Sequence, residues 1–158
     1  MRQPADRKQI VIATDGSACA ADATEEGVWL AKKLDADVCF VAVARAPRAI
    51  LGDPYYQHAV TAEVASARTA IDAAALFADE RGVAYEQEIV CGKPAEEILR
   101  AARERDAELI VVGSRGRGAV TGLLGSVSTA VVHGADRPVL VVRPSAGRTR
   151  PARLRAVV

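Results

Sequence analysis

The chain has 158 residues and a formal net charge of +1; half of its residues are apolar, but only 4% are aromatic. So balanced a charge supplies no general attraction to nucleic acid or to membrane surfaces. A core drawn mostly from Ala, Val, Leu and Ile suits helices on a parallel sheet better than an aromatic-rich β-sandwich.

Taken in chain order, Lys8–Ser17 ("KQIVIATDGS") is expected to be a buried strand that ends in a turn. Ala18–Leu34 follows as a helix, with Ala23, Gly27, Leu30, Ala31 and Leu34 at helical spacing around Val28 and Trp29. Ala36–Arg45 is a second β-rich run, and the Pro/Gly-punctuated stretch 46–60 reads as an irregular connection that carries Tyr55 and Tyr56. Thr61–Arg81 is an Ala-rich helix with Val64, Ile71, Ala75 and Ala78 on one face, and Gly82 stands where a helix-terminating glycine is expected.

Val83–Val90 is a third strand whose alternation implies one partly exposed face. The next helix opens with Pro94 in its first turn, and Glu96 and Glu97 lie near its positive end. Glu108–Gly113 is a short apolar fourth strand opened by Glu108, Ser126–His133 a short helix with Ser126 as its cap, and Arg137–Pro144 a fifth strand. Residues 1–144 are expected to form one α/β domain, and 145–158 a basic tail with Arg148, Arg150, Arg153 and Arg155.

Strand and helix in alternation imply right-handed βαβ crossovers and a parallel sheet covered on both faces. The expected five-stranded, Rossmann-like sheet has strand order 3-2-1-4-5. Ligands of such sheets bind beyond the carboxyl ends of the strands, where the order reverses. That point lies between strands one and four, so the turn Thr14-Asp15-Gly16-Ser17 should face the glycine stretch that follows strand four.

Five glycines fall within residues 113–125. They either let backbone N–H groups close around a phosphate at a helix N-terminus or form a supple connector. A Walker A loop requires a lysine, and none lies there; Gly116-Arg117-Gly118 begins a dinucleotide fingerprint, but Gly122 comes one residue late. Asp15 either meets ligand from the crevice or caps its own turn. His58 and His133 have no partner spacing and read as surface residues. Cys19, Cys39 and Cys91 show no Cys-x2-Cys or zinc spacing, and Cys91 is expected to pack as a small residue. Reduced thiols, no apolar segment of signal-peptide type and no run of roughly 20 apolar residues point to a cytoplasmic protein.

"IVIATDGS", "CGKPAEEIL" and "LIVVGSRGRG…GSVSTAVV…RPVLVVRP", in that order over about residues 8–144, closely resemble the universal stress protein family. The resemblance implies a five-stranded α/β fold, often dimeric through the last strand, and one family branch that binds ATP through Gly-x2-Gly-x9-Gly-Ser/Thr. Gly113, Gly116, Gly125 and Ser126 match that motif, but the segment 117–124 holds eight residues where the family has nine.

Carried over position by position, the resemblance implies that Ala13, Thr14 and Asp15 line the nucleotide, with Asp15 on the ribose or on a companion Mg²⁺. It puts the Val43 backbone at adenine, Val112 and Gly113 beneath the nucleotide, and Arg115 within reach of the phosphates. Gly116, Gly125, Ser126, Val127 and Ser128 would cradle those phosphates. The implied function is that of an ATP-dependent sensor or regulator in a stress response. A dimeric interaction module without nucleotide and a slow nucleotide hydrolase, or phosphoryl transfer to Ser126 or Ser128, are the other readings. The strand Val139–Val142 would expose an apolar sheet edge, a physical motive for two-fold pairing with a second copy.

Overall fold

The computed structural model of the protein describes residues 7–46, 54–116 and 124–144. Five strands, β1 (Gln9–Ala13), β2 (Asp37–Arg45), β3 (Tyr85–Gly92), β4 (Leu109–Gly113) and β5 (Val139–Val142), form one parallel sheet in the order β3-β2-β1-β4-β5. Four helices connect them: α1 (Ala18–Leu34), α2 (Tyr55–Arg81), α3 (Pro94–Glu104) and α4 (Ser126–Gly134). The expected fold class and strand order are therefore those observed. The expected basic tail, 145–158, lies outside the described residues.

The period-two alternation of each strand sorts its side chains into two cores. Ile10, Ile12, Phe40, Ala42 and Val111 pack with Val28 and Ala31 of α1 and Ile71, Ala74 and Ala78 of α2. Val11, Cys39, Val41, Ile110 and Val112 face the opposite way, toward Ile98 and Leu99 of α3 and Val131 of α4. Each large aliphatic side chain sequestered in this way stabilises the fold by roughly 1.5–3 kcal/mol before the entropy of ordering is counted. On the second face the buried Cys39 thiol is pushed up from 9.0 to about 11, because removal from water disfavours the thiolate.

Local chemistry fixes the helix ends. Ser17 caps α1 by accepting the Ala20 N–H at 3.2 Å, and Asp35 ends it in the left-handed region at φ 52°. Gly82 ends α2 as expected, at φ 63°. At its other end α2 starts six residues earlier than the sequence pattern suggests, because Pro54 serves as its N-cap and the run Tyr55–Val60 contains no breaker. Proline at a helix start loses only an N–H that would have had no intrahelical partner. His58 is thus a helical residue, though exposed as expected. At 27 residues, or about 40 Å, α2 outruns the roughly 30 Å of the nine-residue β2. Its buried face consists of Ala67, Ala70, Ile71, Ala74, Ala75 and Ala78, and Val64 is exposed instead of core.

Edge strand β3 is braced by ions. Glu88 meets Arg100 at 2.8 Å and Arg105 at 2.6 Å, and Arg100 also holds Glu97 at 2.8 Å and pairs with Glu104. Arg137 ties the corner before β5 to the end of α3, donating to the carbonyls of Ala102 and Ala107 at 2.8 Å each. Among the described residues no helix is long and apolar enough to cross a membrane, and none of the cysteines is paired.

Candidate functional site

The carboxyl ends of β1 and β4 lie side by side, with Ile12 opposite Val111 and Ala13 opposite Val41 of β2. A cleft of about 350 Å³ opens beyond them, on the face covered by α3 and α4. All twelve positions nominated from the sequence line it: Ala13, Thr14, Asp15, Val43, Val112, Gly113, Arg115, Gly116, Gly125, Ser126, Val127 and Ser128.

Its polar wall is built from three turns. Asp15 Oδ1 accepts the Ser17 N–H at 3.0 Å, the Asx turn that its sequence position allowed, and Thr14 Oγ1 lies 3.4 Å from the Gly16 N–H. The other carboxylate oxygen, Oδ2, reaches under the glycine stretch, where a Cβ on Gly116 would stand 2.6 Å away. At Gly113 a Cβ would lie 2.9 Å from the carbonyl carbon and oxygen of Cys19. Backbone passes over backbone at that point, and only glycine leaves the room.

Gly125, rather than Ser126, is the N-cap of α4: it is extended at φ −68°, ψ 162°, and its carbonyl accepts the Thr129 N–H at 3.0 Å. Ser126 belongs to the first turn and is exposed at the cleft. The N–H groups of Ser126, Val127 and Ser128 therefore have no intrahelical acceptor and lie at the positive end of the helix. Ser128 is 2% exposed, and its hydroxyl lies 3.0 Å from both the Ser114 and Gly125 carbonyls. Beside this wall Arg115 adds a cation.

The opposite wall is apolar. Val41 and Val43 project from β2, Val112 from β4, and Pro94 and Ile98 from the first turns of α3. Pro94 has no N–H, so α3 brings one polar group fewer to this end of the cleft. Arg45 lies at the end of β2 and also borders a second, smaller cavity of about 250 Å³ shared with Tyr56, Val60 and Cys91. Cys91 is exposed there and not packed.

Sequence reasoning missed Ala20, Val41, Arg45, Pro94, Ile98 and Leu124 as lining residues. Three had a legible signal: Val41 precedes Val43 by two on the same strand face, and Pro94 and Ile98 form an i, i+4 pair. Among the described residues no group of His, Cys, Asp and Glu side chains is arranged to hold a metal ion.

The model of the universal stress protein family matches residues 6–143. A universal stress protein of Methanocaldococcus jannaschii is 34% identical over 139 residues, 86% of this chain and 82% of that protein. The universal stress protein UspA from Lactobacillus plantarum superposes with a TM-score of 0.76 at 26% identity, covering 86% of this chain and 97% of that one. A universal stress protein solved in complex with cAMP has a TM-score of 0.60 at 26% identity, over 88% of this chain and 98% of that one. With its sheet order, its cleft and its glycine turns, this chain belongs to the universal stress protein family.

Proposed function

We propose that the chain binds ATP in the cleft between β1 and β4 and acts as a nucleotide-dependent sensor or regulator in a stress response. The observation that carries this reading is the division of the cleft. One wall is an apolar slot of the kind a purine fills, and the other gathers backbone N–H groups, a helix N-terminus and Arg115 where phosphates would lie. The solved relative in complex with cAMP supports an adenine nucleotide as the ligand class. Asp15 would meet the ribose or a companion Mg²⁺, with one carboxylate oxygen engaged by its own turn.

The protein would work in the cytoplasm, where its three thiols stay reduced. We also propose a homodimer through Val139–Val142: β5 is an outermost strand whose four residues are all partly exposed in the single chain.

Purified protein, denatured and analysed by mass spectrometry for released nucleotide, should yield an adenine nucleotide. Titration calorimetry with ATP should show binding, tighter than for adenosine. No retained nucleotide and no binding heat at millimolar ATP would reject the reading in favour of an interaction module without nucleotide. Sedimentation showing only monomer at micromolar concentration would reject the dimer.

A further inference from the structure

The two halves of the glycine motif are joined by more than the segment between them. The Ser114 carbonyl accepts the Gly125 N–H at 2.7 Å and also faces the Ser128 hydroxyl at 3.0 Å. Ser128 lies equally close to the Gly125 carbonyl, so its single proton serves either of two acceptors within reach. Ser114 is itself held, because its N–H donates to the Val142 carbonyl at 2.7 Å and the residue is 4% exposed. A Cβ on Gly125 would stand 3.4 Å from Arg115 Cα and 3.7 Å from the Gly116 nitrogen, so the start of α4 sits directly on the turn after β4.

We propose that this clasp, centred on the Ser114 carbonyl and closed by Ser128, sets where the N-terminus of α4 stands, independently of the number of residues between Gly116 and Gly125. Through its hydroxyl Ser128 is then a positioning residue for the phosphate end of a nucleotide, and that hydroxyl is not itself a phosphate ligand. Magnitudes favour the clasp. For a freely flexible chain, lengthening an eight-residue segment to nine changes the closure probability only about 1.2-fold. Each hydrogen bond of ordinary strength shifts an equilibrium roughly two- to tenfold. The eight-residue spacer is therefore compatible with an intact cradle.

The phosphate readout rests on the nucleotide reading above; the clasp geometry does not. Two variants test it: one glycine inserted between Ala119 and Val120, which restores nine-residue spacing, and Ser128→Ala. Calorimetry with ATP and with adenosine is combined with NMR-detected hydrogen exchange at the Gly125 amide. The insertion is expected to change ATP affinity by less than about twofold. Ser128→Ala is expected to weaken ATP about tenfold, leave adenosine within about twofold, and speed Gly125 exchange. A merely structural role would weaken both ligands alike, and that result would overturn the positioning role. A tenfold loss of ATP affinity on insertion, or unchanged Gly125 exchange in Ser128→Ala, would overturn the clasp. If the wild type binds neither ATP nor adenosine, the nucleotide reading fails alone: Gly125 exchange that responds to Ser128→Ala and not to the insertion upholds the clasp, and the reverse overturns it.

Discussion

The two walls of the cleft are held by different physics. The polar wall is mostly backbone against backbone, with Gly113 beneath the Cys19 carbonyl and Gly125 bonded to Ser114, and Gly116 lies over the Asp15 carboxylate. The apolar wall is ordinary side-chain packing, with Val41, Val112 and Ile98 continuous with the core beneath α3 and α4. Hydrogen bonds and close approaches are directional and tolerate little displacement, whereas apolar packing scales with volume and contact. The comparison predicts that damage to the first wall is selective for phosphate-bearing ligands, and that damage to the second is paid mainly in stability.

The largest effect should come from the apolar wall. Ile98 is 3% exposed, and Ile98→Ala should cost about 2–5 kcal/mol in urea unfolding while weakening ATP and adenosine by the same factor. A loss confined to ATP would erase the distinction between the walls.

Cys39 reports on the dryness behind that wall. Its thiol holds its proton more firmly in the folded chain than in the unfolded one, from 9.0 up to about 11. The associated stability is fully present below the unfolded thiol's pKa and is lost as pH rises through the folded value. Urea unfolding between pH 8 and 11 should therefore show a decline of about 2–3 kcal/mol from this group, which Cys39→Ala abolishes. Parallel pH profiles for the two proteins would show that Cys39 is not the group responsible.

On the polar wall, Gly113→Ala places a methyl group 2.9 Å from the Cys19 backbone, which cannot swing aside as a side chain would. A cost of about 1–3 kcal/mol is expected, with ATP affinity falling further than adenosine affinity. Equal losses would mean that the displaced turn serves only the fold.

Arg45 should give the smallest effect. It sits at the apolar end of the cleft, and its backbone N–H is 3.3 Å from Glu63 Oε2 on α2, so Arg45→Met leaves that bond in place. Loss of a cation near a purine face is worth about 0.5–1 kcal/mol at an exposed site, a two- to fivefold weakening shared by ATP and adenosine. A greater loss for ATP would assign Arg45 to the phosphates.

How legible each part was in the sequence depended on how local its cause is. The bounds of α1 were readable because Ser17 and Asp35 terminate it with their own side chain and backbone. The start of α2 was not, because proline ahead of a helix looks the same in sequence as proline in a loop, and the choice rests on the run Tyr55–Val60. Ser126 and Gly125 are both acceptable caps, and only the extended backbone at Gly125 separates them. Within the site, the residues that carry a turn or a glycine were legible. Arg45 was not, because nothing in its own segment says which cavity it borders.

By itself the sequence determined the alternation of elements, the parallel sheet, and the carboxyl edge of the strands at which a ligand would enter. Those follow from side-chain periodicity and from the handedness of βαβ crossovers, both local or nearly so. Tertiary structure decided that Ala13 stands level with Val41, that α3 completes the apolar wall, and that Ser128 reaches back across 14 positions to Ser114. Such meetings depend on register and on the close approach of backbones distant in the chain, which no periodicity within one segment encodes.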